Sequence, residues 1–232
     1  MIKKTIRAVV PGKLLERVQR FRKQGRNFYS LARNYGQWPS IRDWKSVDAN
    51  GAPTPWYTYP ATEFLSHLDL SSLNVFEYGS GNSTLWWSDR AKKIMSVEDD
   101  EDWYKKIQNS LQNKKVDYRL EKDRQKYFSM ATDDFDIFIV DGKYRRECLE
   151  HVVNLAGGVM LILDNSDWYP TSVAFLKEKL RWMQTDFHGF GPINNYTWTT
   201  SIFVNPARHN ELRYQHQLKS QCALVQVADG DS

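Results

Sequence analysis

From Leu73 onward, short apolar runs alternate with stretches whose apolar residues recur every three or four positions. The pattern predicts strands at 73–78, 93–98, 115–120, 135–140 and 158–164, with helices at 82–91, 100–112 and 144–156 between them. Trp103, Ile107 and Leu111 lie four apart, and Cys148, Leu149, Val152, Val153 and Ala156 form one stripe. Ile137 to Val140 and Val159 to Leu163 are near-continuous apolar runs, as expected of parallel strands covered on both faces. Such alternation predicts a parallel sheet joined by right-handed crossovers. After a helix at about 171–183, strands at 184–190 and 197–204 flank Gly191-Pro-Ile-Asn-Asn195, which predicts an antiparallel, hairpin-like ending.

Upstream of this core, Leu14, Leu15, Val18 and Phe21 recur at helical spacing among Arg17, Arg20, Arg22 and Lys23. This predicts a basic amphipathic helix that either packs its apolar stripe on the domain or offers a surface to a membrane, a nucleic acid or a polyanion. Asp48 to Pro55 is rich in turn residues, and a short helix is expected at about 61–68. The chain thus divides into a basic extension and loop (1–55), a core domain (56–204) and a polar C-terminal tail with a short helix (205–232). Composition adds an asymmetry: residues 1–45 hold twelve Lys or Arg against Glu16 and Asp43, so the remainder is net acidic within a total of +4. Cys148 and Cys222 have no partners at metal-ligand spacing and read as free thiols, so a cytoplasmic location is expected. No apolar run is long enough to span a membrane, and no secretory signal is visible.

The candidate chemistry begins where strand 73–78 ends. Glu77 is followed by Gly79-Ser-Gly81-Asn-Ser-Thr84, and a helix starts at Asn82 or Ser83, both good N-caps. Glycines let the backbone turn and approach a ligand, and the free N–H groups of the helix start suit an acceptor group. Glu98, at the end of the second strand, is placed to accept the hydroxyls of a ribose. A third glycine is missing, with Thr84 in its place, which argues against a dinucleotide pyrophosphate, and the Lys of a P-loop is missing too.

With these residues in view, Val75-Phe-Glu-Tyr-Gly-Ser-Gly-Asn-Ser-Thr84 resembles the first motif of class I, Rossmann-like S-adenosylmethionine-dependent methyltransferases. Ser96-Val-Glu98-Asp-Asp is similar to their ribose-binding motif, and Phe135-Asp-Ile-Phe-Ile-Val-Asp141-Gly and Ala156-Gly-Gly-Val-Met-Leu-Ile-Leu-Asp164-Asn165 resemble their fourth- and fifth-strand motifs. The resemblance covers about residues 56–204. It implies a three-layer α/β sandwich around a seven-stranded, mostly parallel sheet of order 3-2-1-4-5-7-6 with strand 7 antiparallel. It implies S-adenosylmethionine held by Glu77, Gly79, Ser80, Gly81, Asn82, Ser83, Glu98, Asp99 and Asp141, with the adenine near Glu121–Arg124.

For catalysis the candidates are Asp141, Lys143 and Asp164, because strand ends four and five border the cofactor crevice. In one reading Asp141, Asp164 and Asn165 bind a divalent cation and Lys143 is the base, as in metal-dependent O-methyltransferases. In the other no metal takes part, Asp164 or His188 orients the acceptor, and Arg145 or Arg146 holds an anionic substrate. No metal site is assigned. Trp56, Tyr57 and Tyr59 are candidates to close over cofactor or acceptor. The expected activity is methyl transfer, first of all to an oxygen of a small-molecule or sugar-containing acceptor. The alternative is a non-catalytic binding module that recruits an anionic partner through the basic arm. No nucleic-acid-binding motif is present, residues 1–45 are a candidate contact with an anionic membrane, and oligomeric state stays open.

Overall fold

The computed structural model describes residues 12–155, 157–215 and 220–223. Ala156 and most of the expected tail therefore lie outside the described residues. Helix α1 (Gly12–Tyr29) runs into a π turn (Ser30–Asn34), followed by α2 (Gln37–Asp43) and α3 (Tyr59–Ser66). Then come β1 (Leu68–Asp69), β2 (Asn74–Tyr78), α4 (Asn82–Ser88), β3 (Lys93–Glu98), α5 (Glu101–Ser110) and β4 (Val116–Leu120). The chain continues with α6 (Arg124–Phe128), β5 (Ile137–Val140), α7 (Arg145–Val153), β6 (Met160–Leu163) and α8 (Pro170–Leu180). It ends with β7 (Met183–Gly189), β8 (Trp198–Val204) and β9 (Arg213–Tyr214).

Seven strands form one sheet in the order β4-β3-β2-β5-β6-β8-β7. The first five run parallel, and β8 is antiparallel to both β6 and β7. Numbered within the sheet, this is the expected 3-2-1-4-5-7-6. The continuous apolar runs have a simple cause: successive side chains alternate between two faces, and both faces are covered. Phe76, Tyr78, Phe138, Val140 and Leu161 meet Cys148, Leu149 and Val152 of α7 on one face. Val75, Ile137, Ile139 and Ile162 meet Tyr57, Leu65, Trp86 and Trp87 on the other. Glu77 is the exception, a carboxylate inside a central strand, opposite Ser96 and Ile139.

The helices are shorter than the apolar pattern alone suggests, because local caps end or start them. The Asp100 carboxylate accepts from Trp103 N at 2.8 Å and opens α5; Asp123 does the same for α6 through Lys126 N at 2.9 Å. One-turn α6 has too few residues to show a period, so the loop expected after β4 holds an unexpected helix.

Residues 34–55 are not a detached arm. Gly36, at φ +76°, brings α2 against the backbone of Asp48, where any Cβ would collide. The Gln37 amide donates to the carbonyls of Gly191 and Asn194, each at 3.2 Å, and the Asn82 amide donates to Ser46 O at 2.5 Å. This segment therefore lies across the carboxyl edge of the sheet. Beyond β8, the helical element among the described residues is a 3-10 turn, His209–Glu211. The strand after it, β9, pairs with β1, so residues 205–215 return to the body. Both cysteines are free. No helix among the described residues is long and apolar enough to cross a membrane.

Candidate functional site

The strand order reverses between β2 and β5, and ligands of open α/β sheets bind at such a switch point, beyond the carboxyl ends of the strands. The two loops there touch through glycine. Gly79 has φ +95°, and a Cβ on it would lie 2.9 Å from Gly142 N; a Cβ on Gly142 would meet the Tyr127 hydroxyl and Gly79 N. Gly79 N donates to Val97 O at 2.9 Å, and the Ser96 hydroxyl donates to Gly79 O at 2.7 Å. Gly81 differs: a Cβ there would have only the Trp103 ring near it, at 3.9 Å. The loop is thus tight at its base and open at its tip.

A hydroxyl relay fastens the loop to the sheet. Gly81 N donates to Thr84 Oγ1 at 3.1 Å, and Thr84 Oγ1 donates to Glu77 Oε2 at 2.5 Å. Glu77 is buried, which pushes its pKa up to about 7 against the lowering effect of hydrogen bonds from Ser83, Thr84 and Ser96. Its carboxyl lies beneath the loop and braces it.

Glu98 stands at the end of β3. One oxygen accepts from the amides of Asp99 and Asp100 at 3.0 and 3.2 Å; the other takes the Ser80 hydroxyl at 2.5 Å. Ser80 also meets the Tyr118 hydroxyl at 2.8 Å, and Trp103 Nε1 donates to Ser80 O at 2.9 Å. Burial raises the Glu98 pKa. Asp99 is occupied by Lys143 Nζ at 2.6 Å. The Tyr127 hydroxyl, buried beside Gly142, has no hydrogen-bond partner among the described residues.

Two cavities meet at this edge. The loop cavity, about 590 Å³, is lined by Ser80, Gly81, Asn82 and Ser83, by Trp103 and Lys106 of α5, and by Trp44, Ser46 and Trp56. The aromatic cavity, about 750 Å³, is lined by Trp44, Trp56, Trp168 and Tyr196, by Asp141, Asp164 and Asn165, and by Ile41 and Ile193 to Tyr196. Asp141, Trp44, Trp56 and Ile193 belong to both. Trp44 and Trp56 meet edge to face at 6.1 Å, and Trp168 and Tyr196 lie 6.3 Å apart. No Lys or Arg among the described residues lines the aromatic cavity, which does not suit the anionic substrate considered for Arg145 or Arg146.

Two carboxyls form its floor, with different environments. Asp141 is paired with Arg145 Nη2 at 2.9 Å, and 27% of its side chain is open to the cavities. The low-dielectric surroundings raise its pKa, and Arg145 opposes the rise. Asp164 is 2% exposed; its Oδ1 accepts from Trp198 Nε1 at 3.1 Å and Thr200 Oγ1 at 2.5 Å. Burial and then the negative charge of Asp141 raise its pKa well above the ordinary value, which favours the protonated acid.

Several expected residues do not join the site. The Arg145 guanidinium bonds Asp141, the Asp164 carbonyl and, at 3.4 Å, Asn165 Oδ1. It thus sits among the three groups proposed as cation ligands, and the donor set does not fit a divalent ion. The same bonds leave Arg145 no free donor face for a substrate anion. Lys143 is exposed and turned toward Asp99, away from both cavities. Arg146 lies outside as well, paired with Glu150 and stacked on Phe175. His188 bonds Thr199 Oγ1 at 2.8 Å and lines a separate surface pocket with Asp186 and Lys177. Residues 121–124 line neither cavity. Of the aromatic trio, Trp56 lines both cavities, while Tyr57 and Tyr59 are buried in the core.

Sequence reasoning missed Trp44, Trp168, Ile193, Asn194 and Tyr196. One signal exists only in the backbone: Trp44 and Asn165 have φ of 50° and 51°, left-handed conformations that side-chain-bearing residues seldom adopt, and both line the aromatic cavity.

No family model matches the chain, and no curated protein does. Solved structures do match. The precorrin-6y C5,15-methyltransferase of Geobacter metallireducens GS-15 is 14% identical with a TM-score of 0.51, covering 68% of this chain and 98% of that one. A candidate O-methyltransferase from Klebsiella pneumoniae is 17% identical with a TM-score of 0.49, covering 66% and 84%. The precorrin 8w decarboxylase of Methanobacterium thermoautotrophicum is 14% identical with a TM-score of 0.49, covering 69% and 97%. At 14% identity the first of these establishes the fold alone, an α/β sandwich around a seven-stranded, mostly parallel sheet, and says nothing of activity or acceptor.

Proposed function

We propose that this protein is an S-adenosylmethionine-dependent methyltransferase that methylates a hydroxyl of a neutral, ring-bearing small molecule, a sugar-containing acceptor first among them. One observation carries the reading: a cavity on the glycine loop and a cavity walled by aromatic rings open onto the same carboxyl, Asp141. Group transfer needs two reactants held in adjoining compartments with a proton acceptor at the junction.

The loop side suits the methyl donor. Gly81 faces open space and lets a ligand approach its backbone, and the Tyr127 hydroxyl, buried beside Gly142, has no partner among the described residues. Ser80 to Ser83 would hold the amino-acid end, and Glu98 the ribose in place of the Ser80 hydroxyl. When bound, S-adenosylmethionine supplies an electrophilic methyl group. The remaining work falls to the chain. Trp44, Trp56, Trp168 and Tyr196 present flat apolar surfaces to one face of a ring and displace water from it. Asp164, whose neutral form burial favours, donates a hydrogen bond to a second hydroxyl. Asp141 in its carboxylate form, which Arg145 favours against the effect of burial, takes the proton from the hydroxyl that is methylated.

Calorimetric titration of the full chain with S-adenosylmethionine and S-adenosylhomocysteine tests the donor half. Saturable binding that disappears in Gly79→Val is expected, and a folded protein that binds neither compound overturns the proposal. Transfer of labelled methyl to a panel of glycosides, amines and carboxylates tests the acceptor half. Labelling confined to amines or carboxylates rejects the hydroxyl.

A further inference from the structure

Helix α1 is absorbed by neither the sheet nor the site. Its 18 residues span ~27 Å. Every side chain from Lys13 to Tyr29 is exposed except Leu15, which is half-buried. On the helical wheel Leu14, Leu15, Val18, Phe21, Phe28 and Tyr29 fall within an arc of roughly 140°. Phe21 and Phe28 are 76% and 75% exposed, an unusual state for two phenylalanines on one face.

The rest of the wheel is polar and mostly cationic, and Arg22 falls inside the apolar arc near its Leu15 edge. Six Lys or Arg and a single acid lie between Gly12 and Tyr29, and that acid, Glu16, is already paired with Arg20 at 3.5 Å. Arg17 and Arg26 border the apolar arc on its two sides, and Lys13, Arg20 and Lys23 occupy the opposite face. Long side chains at the border of an apolar stripe reach up to a polar layer while their stems stay with the rings. A body that is net acidic outside residues 1–45 is repelled by an anionic surface, so attraction is confined to this end of the molecule.

We propose that α1 binds an anionic lipid surface, lying in the interface with Phe21 and Phe28 inserted among acyl chains and its arginines on the headgroups. The apolar arc separates this from a nucleic-acid partner, which calls for cations without a hydrophobic stripe between them. The arginines bordering the arc also disfavour a second copy of the helix, because pairing two stripes would bring like charges together.

The test is sedimentation of the full chain with phosphatidylglycerol–phosphatidylcholine vesicles and with phosphatidylcholine alone. Pelleting is expected only with the anionic vesicles, weakening as salt rises. The Phe21→Glu/Phe28→Glu variant is expected to lose at least about tenfold in vesicle affinity. So is the Arg17→Glu/Arg20→Glu/Lys23→Glu variant. Since all five positions are exposed, both variants keep the far-ultraviolet spectrum and melting temperature. Three results overturn the proposal: no pelleting with anionic vesicles, unchanged pelleting of the double-phenylalanine variant, or self-association removed by that variant in a chain that ignores vesicles.

Discussion

The two cavities that share Asp141 are made in opposite ways. The loop cavity shares Trp44 and Trp56 with its neighbour but is set apart by Ser80 to Ser83, whose shape is fixed by backbone bonds and by Gly79 packed against Gly142. The aromatic cavity takes its walls from three loops distant in sequence: residues 41–56, 164–168 and 193–196. Each has a buried carboxyl beneath it, Glu77 under the first and Asp164 under the second. The first is shaped by main chain and tolerates little change; the second is shaped by side chains on loops, where the acceptor can change without altering the sheet.

The largest expected effect lies at the junction. Asp141→Asn removes the proton acceptor and keeps the shape, so kcat should fall by about 10²–10⁴-fold while S-adenosylmethionine affinity is nearly unchanged. The wild-type rate should rise with pH through the elevated Asp141 pKa, because only the carboxylate accepts a proton. That limb should vanish in the variant. A variant with full activity would move the base elsewhere.

Next comes the contrast within the glycine loop. Gly79→Ala places a Cβ against Gly142 at a φ of +95° and should cost about 3 kcal/mol of stability together with donor binding. Gly81→Ala meets only the Trp103 ring at 3.9 Å and should stay within about 1 kcal/mol of wild type in denaturant unfolding, with donor affinity reduced by the filled space. Equal effects at the two glycines would show that the loop moves as a whole.

Glu77 gives a comparable but pH-dependent effect. Its pKa rises from 4.5 to about 7 on folding. The folded protein therefore keeps a proton that the unfolded chain releases, and this contribution is fully present below about pH 4.5 and lost as pH rises toward 7. The loss amounts to something on the order of 3 kcal/mol. Glu77→Gln imitates the neutral acid, so the difference in stability between variant and wild type should grow in the variant's favour across that window. A constant difference would mean that Glu77 ionises normally.

The asymmetry between the cavities also explains what could be read from the sequence. The strands, the glycine loop and the position of Glu98 were legible because each is local: an apolar run, a turn signal and a helix start follow one another within a few residues. The sheet order came from the family resemblance alone. Asp141 and Asp164 were legible as strand ends, but their neighbours were not. Lys143, Arg145 and Arg146 are adjacent in sequence, yet Tyr144 adopts a left-handed conformation and α7 begins behind it, so only Arg145 turns inward. Trp44, Trp168 and Tyr196 carry no shared pattern, since they meet only after the sheet has closed. Gly191 to Asn195 read as a hairpin connection, and it is one, but Ile193 also lines both cavities.

The smallest effect separates fold from function on the aromatic side. Trp44 is 64% exposed and sits at φ 50°, ψ 45°. A left-handed residue with a side chain costs about 1–2 kcal/mol, and glycine relieves it at an entropic cost of roughly 0.5–1 kcal/mol. Trp44→Gly should therefore leave stability unchanged or raise it by up to about 1 kcal/mol, despite the loss of the edge-to-face contact with Trp56. The acceptor KM should rise by about tenfold, because one wall of its cavity is gone. Trp168→Ala, which touches only the aromatic cavity, should raise the acceptor KM without changing donor affinity. If Trp44→Gly instead melts several degrees earlier with the acceptor KM intact, the ring is packing for the loop, and the strained backbone at Trp44 serves the fold.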